Sequence, residues 1–185
     1  MGHPGPSVAL YCLPNRLLLL AVVATPTHSL NNATATTTLP PGFTQHAQFT
    51  GIGGLLTTLV GPGPTPGSER LYASHIYGGI ALDVVAVDPL TGDAAVFTTR
   101  GMPAPVEYGA WGMTVGPDGQ VYVGTLPTAH ILRVDWKTKK LVDCGQPSKT
   151  EAYIWQLAVG TDKKIYGCTY PNAKLVRLCQ QQGTC

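Results

Sequence analysis

Glu107 and Trp111 stand four residues apart, and the same pair returns 44 residues later as Glu151 and Trp155. Beyond them each copy carries a short polar and aromatic stretch, Thr125-Leu126-Pro127 and Thr169-Tyr170-Pro171, and an upstream segment offers His75, Tyr77 and Gly78 at the equivalent point. Carboxylates bind hydroxyl groups, and aromatic rings stack on sugar faces or on apolar side chains. The set therefore suits a glycan or a protein surface, with Glu107, Trp111, Thr125, Glu151, Trp155, Thr169, Tyr170, His75 and Tyr77 as the candidate ligand-binding residues. A plainer reading competes. Residues that recur in every copy of a repeat usually serve the repeat, so the tryptophans would pack between units and the glutamates would accept hydrogen bonds from nearby turns. His130 aligns with Lys174 and reads as an exposed strand position.

No catalytic residue is assigned. The chain has no G-x-S-x-G and no H-E-x-x-H, the signatures of a nucleophile elbow and of a zinc peptidase. Gly61-Pro62-Gly63-Pro64 is a Pro-rich turn without the Lys that a phosphate loop requires. The cysteines lack a paired C-x-x-C spacing, so neither zinc nor any other metal site is expected. A formal charge of +2 gives no electrostatic reason to expect nucleic acid.

These side chains must be positioned by a repeat. Glu107–Val134 and Glu151–Leu178 align without a gap. The identical pairs are Glu107/Glu151, Trp111/Trp155, Val115/Val159, Gly116/Gly160, Asp118/Asp162, Tyr122/Tyr166, Thr125/Thr169, Pro127/Pro171, Ala129/Ala173 and Arg133/Arg177. A third copy with longer loops lies upstream: Val60-Gly61-Pro62 matches Val115-Gly116-Pro117, and Leu71-Tyr72 matches Val121-Tyr122. Each unit divides into four short strands, A to D, separated by turn signals such as Gly116-Pro117-Asp118-Gly119. Only 12% of residues are charged, while 44% are apolar, which favours short strands with real cores over disorder. Four strands in about 44 residues make a propeller blade.

The V-G-P-D-G-Q-V-Y-V-G-T block at 115–125 and the D-P-L-T-G turn at 88–92 resemble the YVTN, NHL and SMP-30-like β-propeller superfamily. The resemblance implies an all-β partial propeller of about three four-stranded blades over residues 52–178, with units near 52–103, 104–147 and 148–178. SMP-30-like members are calcium-dependent lactonases. Their calcium ligands find no matching positions here, so none is carried over, and calcium is the one cofactor the resemblance leaves open.

Arg16 followed by the apolar run Leu17–Ala24 reads as a signal-peptide core within residues 1–29, too short to span a bilayer. Residues 30–51 read as a Thr/Pro-rich flexible segment, and its Asn32-Ala33-Thr34 is a glycosylation sequon. Removal of Cys12 with the signal would leave Cys144, Cys168, Cys179 and Cys185 as disulfide candidates, with the last two bounding a 179–185 tail. The expectation is a secreted glycoprotein that recognises a glycan or protein on the face built by the D–A and B–C loops. The alternatives are a lactonase or propeller lyase carried by an incomplete chain, and a propeller fragment without a function of its own. Three blades fall short of a closed ring, so self-association to complete one is also expected.

Overall fold

The computed structural model describes residues 7–13, 16–22, 44–45, 53–77, 80–103 and 106–178. The backbones of β1 (Ser7–Leu13) and β2 (Arg16–Val22) form an antiparallel hairpin, and β3 (Thr44–Gln45) pairs with β1. Blade 1 follows as β4 (Gly53–Pro62), β5 (Glu69–Tyr77), β6 (Ala81–Val87) and β7 (Ala94–Thr98). Blade 2 is β8 (Gly109–Val115), β9 (Val121–Leu126), β10 (Ile131–Asp135) and β11 (Lys140–Asp143). Blade 3 is β12 (Tyr153–Val159), β13 (Ile165–Tyr170) and β14 (Leu175–Leu178). Each blade is an antiparallel meander in chain order. The first strands lie side by side, with β8 between β4 and β12. The described residues contain no helix. This is the expected partial β-propeller.

The recurring V-G-x-D-x-x-x-Y signature of blades 2 and 3 has a local physical cause. A side chain on Gly116 would meet the Tyr122 ring at 2.5 Å, and one on Gly160 would meet the Tyr166 ring at 2.8 Å. The glycine thus lets the tyrosine lie flat over the A–B turn. The phenol then donates to the turn aspartate at 2.9 Å in both blades, Tyr122 to Asp118 and Tyr166 to Asp162. In blade 1 the Tyr72 hydroxyl instead donates to the Pro62 carbonyl and accepts from Trp136 Nε1 at 2.8 Å. The D-P-L-T-G stretch is an ordinary C–D turn. Asp88 Oδ1 accepts from the backbone of Leu90 and Thr91, as Asp135 Oδ1 does from Lys137 and Thr138.

The blades hold together through apolar layers. Between blades 1 and 2, Tyr72, Leu82, Val84 and Phe97 meet Ala110, Met113, Val121 and Val123. Between blades 2 and 3, Tyr122, Ala129 and Ile131 meet Ile154, Leu157 and Ile165. Glycines set the spacing of that second layer. A side chain on Gly124 would lie 2.5 Å from Ile154, and one on Gly112 would lie 2.9 Å from the Gln156 backbone.

Each inner strand carries a bulge at the same place, between Leu55 and Thr57, Ala110 and Gly112, and Ile154 and Gln156. The extra residues are Leu56, Trp111 and Trp155. A bulge leaves its extra residue out of the ladder and turns its side chain away from the ordinary alternation. The two tryptophan rings meet each other at the blade 2–blade 3 junction.

Burial separates the blades. Every residue of β9 is buried, because blades 1 and 3 cover both of its faces. Its counterpart β13 alternates, with Ile165, Gly167 and Thr169 buried against blade 2 while Cys168 and Tyr170 are exposed. Blade 3 therefore presents a face that is covered one blade earlier.

Candidate functional site

The two glutamates are structural clamps. Glu107 and Glu151 are buried, at 4% and 3% exposure, at the D–A connections. Glu151 Oε2 accepts from the Thr169 hydroxyl at 2.9 Å and the Asn172 backbone at 3.0 Å, while Oε1 accepts from the Asn172 side chain at 2.8 Å. Lys174 Nζ lies 3.5 Å from Oε1. Glu107 accepts from the hydroxyl and backbone N–H of Thr128. Burial alone would push the Glu151 carboxyl up. Hydrogen bonds from Asn172, Thr169 and Thr150 outweigh burial and hold it at about 2. Both carboxylates thus tie a D–A loop to the B–C loop of the same blade, and Thr169 belongs to this framework. The Thr125 hydroxyl donates to the His130 carbonyl at 2.9 Å, and the single proton of the Thr169 hydroxyl is shared between Glu151 and the Lys174 carbonyl at 3.0 Å. The two B–C loops share their backbone form, with cis Leu126–Pro127 and Tyr170–Pro171 and a left-handed Ala129 and Ala173.

The aromatic residues form a cluster at the blade 2–blade 3 junction. Trp111 and Trp155 lie 5.2 Å apart between ring centroids, tilted by 48°. Tyr153 stacks on Tyr170 at 5.3 Å with 14° between planes. Trp155 meets both tyrosines edge-on, at 5.7 and 6.2 Å. Trp155 and Tyr170 remain 42% and 48% exposed, whereas Trp111 is half-buried beneath its partner. Four rings at one edge, two of them open to solvent, make an apolar platform with polar tips.

His75 and His130 stand apart from that platform. His75 pairs across the sheet with Asp83. Burial holds its imidazole below the usual range, the Asp83 charge opposes the shift and Arg100 adds to it. His130 Nδ1 sits 2.9 Å from Asp143 on β11. The backbone of Tyr77 pairs with Gly53 and Ala81. Its side chain, Gly78, Asn32, Cys179 and Cys185 lie outside the described residues. Cys168 is a free, exposed thiol on β13, and Cys144 follows β11. Among the described residues no three His, Cys, Asp or Glu side chains gather into a metal-binding group, and no helix is long and apolar enough to cross a membrane.

No protein-family model matches the chain. No curated protein matches it either. Among solved structures it is similar to the WD40 β-propeller domain of Doa1, at 12% identity and a TM-score of 0.43, over 61% of this chain and 34% of that one. The chain thus spans about a third of that structure. The propeller assignment itself stands on the chain's own strand order and on the repetition of its blade contacts.

Sequence reasoning passed over two groups. Thr128 and Asn172, the clamp partners of the glutamates, differ in type and so dropped out of the list of identical pairs. Tyr153 occupies the place of Gly109. That break in the repeat was the available signal, since an aromatic replacing glycine marks a position whose neighbour has changed.

Proposed function

We propose that this chain is a non-catalytic propeller module that binds a protein partner through the aromatic platform of Trp111, Tyr153, Trp155 and Tyr170. The observation that carries this reading is the exposure of Trp155 and Tyr170 within a four-ring cluster. Aromatic side chains supply large contact areas at little entropic cost and dominate the energetics of protein interfaces. The oxygens of Glu107 and Glu151 are engaged inside the loops, which leaves rings rather than carboxylates to face a ligand. The stacked pair Tyr153–Tyr170 favours a second reading, a sugar ring lying on an aromatic face.

A photo-crosslinking residue at position 170 tests the choice. The protein reading predicts capture of one defined secreted protein, abolished by Trp155→Ala in a variant that keeps its melting temperature. Saturable quenching of tryptophan fluorescence by an oligosaccharide, lost in the same variant, would favour the glycan reading. Capture indifferent to Trp155 would overturn both.

Export belongs to the same proposal. Cleavage after Ala24 or Ser29, glycosylation at Asn32, and a disulfide from Cys144 to Cys179 or Cys185 form one consistent extracellular reading. Intact mass and N-terminal sequencing of the secreted product test each element. Kinship with the YVTN, NHL and SMP-30-like propellers also stays within this proposal, and no observation on the molecule favours their lactonase chemistry.

A further inference from the structure

We propose that the partner docks an acidic segment, with carboxylates on either side of an apolar anchor, onto the face of blade 3 that blade 2 leaves uncovered. This rests on the binding reading above and names the chemistry of its protein partner.

Charge is unevenly placed along the chain. Blade 3 carries Lys149, Lys163, Lys164, Lys174 and Arg177, five of the 12 basic residues. Of the 10 acids it holds only Glu151 and Asp162, and the other eight all precede it in blades 1 and 2. Neither of its acids is open to a ligand. Glu151 is 3% exposed, and its oxygens are taken by Thr169 and Asn172. Asp162 Oδ2 accepts from the Tyr166 phenol at 2.9 Å and lies 3.2 Å from Lys164 Nζ. Blade 3 is thus net positive while the rest of the chain is slightly negative. Such an asymmetry orients an acidic partner before contact and disfavours a basic one.

The fold gives this positive blade an apolar centre. Leu178 packs into the blade 2–blade 3 core, so alternation along β14 turns Leu175 and Arg177 the other way. Leu175 stands opposite Cys168, Arg177 opposite Tyr166, and Tyr170 opposite Tyr153. Leu175, Arg177, Cys168 and Tyr170 are all exposed. Lys174 lies just before β14, and its Nζ reaches Ser148 Oγ at 3.2 Å, beside the exposed Lys149. The face therefore runs from Lys149 and Lys174, past Tyr170 and Leu175, to Arg177. An acidic peptide with an apolar side chain matches both features. Its carboxylates meet the cations at the two ends, and its anchor covers Leu175 and the Tyr170 ring. A polyanion such as RNA would meet the cations alone and leave the leucine, 71% exposed, in water.

Fluorescence anisotropy with three short labelled peptides tests the proposal. All carry the same leucines, alternating with glutamate, glutamine or lysine. The glutamate peptide should bind about tenfold more tightly than the glutamine peptide, the lysine peptide should bind least, and added salt should weaken the first most. Lys149→Glu and Arg177→Glu, toward opposite ends of the face, should each cut affinity for the glutamate peptide by about fivefold. Lys137→Glu, on the exposed C–D turn of blade 2, should leave it unchanged. Failure of the glutamate peptide to bind, indifference to both reversals, or tighter binding of an RNA oligonucleotide would overturn the acidic partner. Glutamate and glutamine peptides that bind alike, and are both lost in Trp155→Ala, would sink the acidic partner and keep the binding reading.

Discussion

At the scale of single residues, the repeated glutamate is worth more to the fold than to a ligand. Its oxygens are committed to Thr169, Asn172 and Lys174 in blade 3. Because the folded pKa of Glu151 lies near 2, below its ordinary 4.5, the stability it contributes is fully present above pH 4.5. That stability is lost as pH falls through about 2. Glu151→Gln should therefore melt lower than wild type at neutral pH and show a flatter decline between pH 4.5 and 2, read by thermal unfolding across that range. The tryptophans divide differently. Trp111 lies under Trp155, so Trp111→Ala should destabilise by about 2 kcal/mol, roughly half the cost of emptying a fully buried site. Trp155→Ala should cost less and act on binding. Denaturant titration of the two variants separates them, and equal losses would return both residues to the core.

At the scale of elements, the strand pattern was legible because turn residues and apolar intervals agree throughout residues 53–178. Gly116-Pro117-Asp118-Gly119 announced a turn, and the structure adds the Tyr122 ring lying over its first glycine. The inward aim of Glu107 and Glu151 was the part sequence left open. A carboxylate in a loop reads as available until its partners are seen, and Thr128 and Asn172 are not identical residues. Blade spacing was equally hidden, since it depends on which glycines face which side chains. Gly124→Ala places a methyl group 2.5 Å from the branched, backbone-proximal carbons of Ile154. It should cost about 1–3 kcal/mol as overpacking does. Gly167→Ala, whose nearest neighbours are at 3.2 Å, should cost visibly less. Denaturant midpoints with unchanged slopes would check the order, and a neutral Gly124→Ala would show that the blade 2–blade 3 layer is looser than its contacts imply.

At the scale of the whole molecule, the asymmetry between β9 and β13 decides how the chain is read. One sequence pattern yields a wholly buried strand where blades stand on both sides and an alternating one where a neighbour stands on one side only. The repeat announced the blades, but it did not announce that the open face would carry Cys168, Tyr170 and Leu175 together. Those positions lie on two strands, and the register of β13 with β14, which sets Leu175 opposite Cys168, brings them to one surface.

Cys168 reports on that surface directly, because it is a free thiol at the place where blade 2 has the covered Gly124. The decisive measurement is its rate of alkylation by a small maleimide in the free protein and in the protein bound to its captured partner. Rapid modification of the free protein that slows strongly once the partner is bound, with Leu175→Glu staying rapid in both, is the predicted result. A thiol that resists modification in the free protein, or reacts at one rate with and without the partner, would contradict an open blade 3 face that a partner comes to cover.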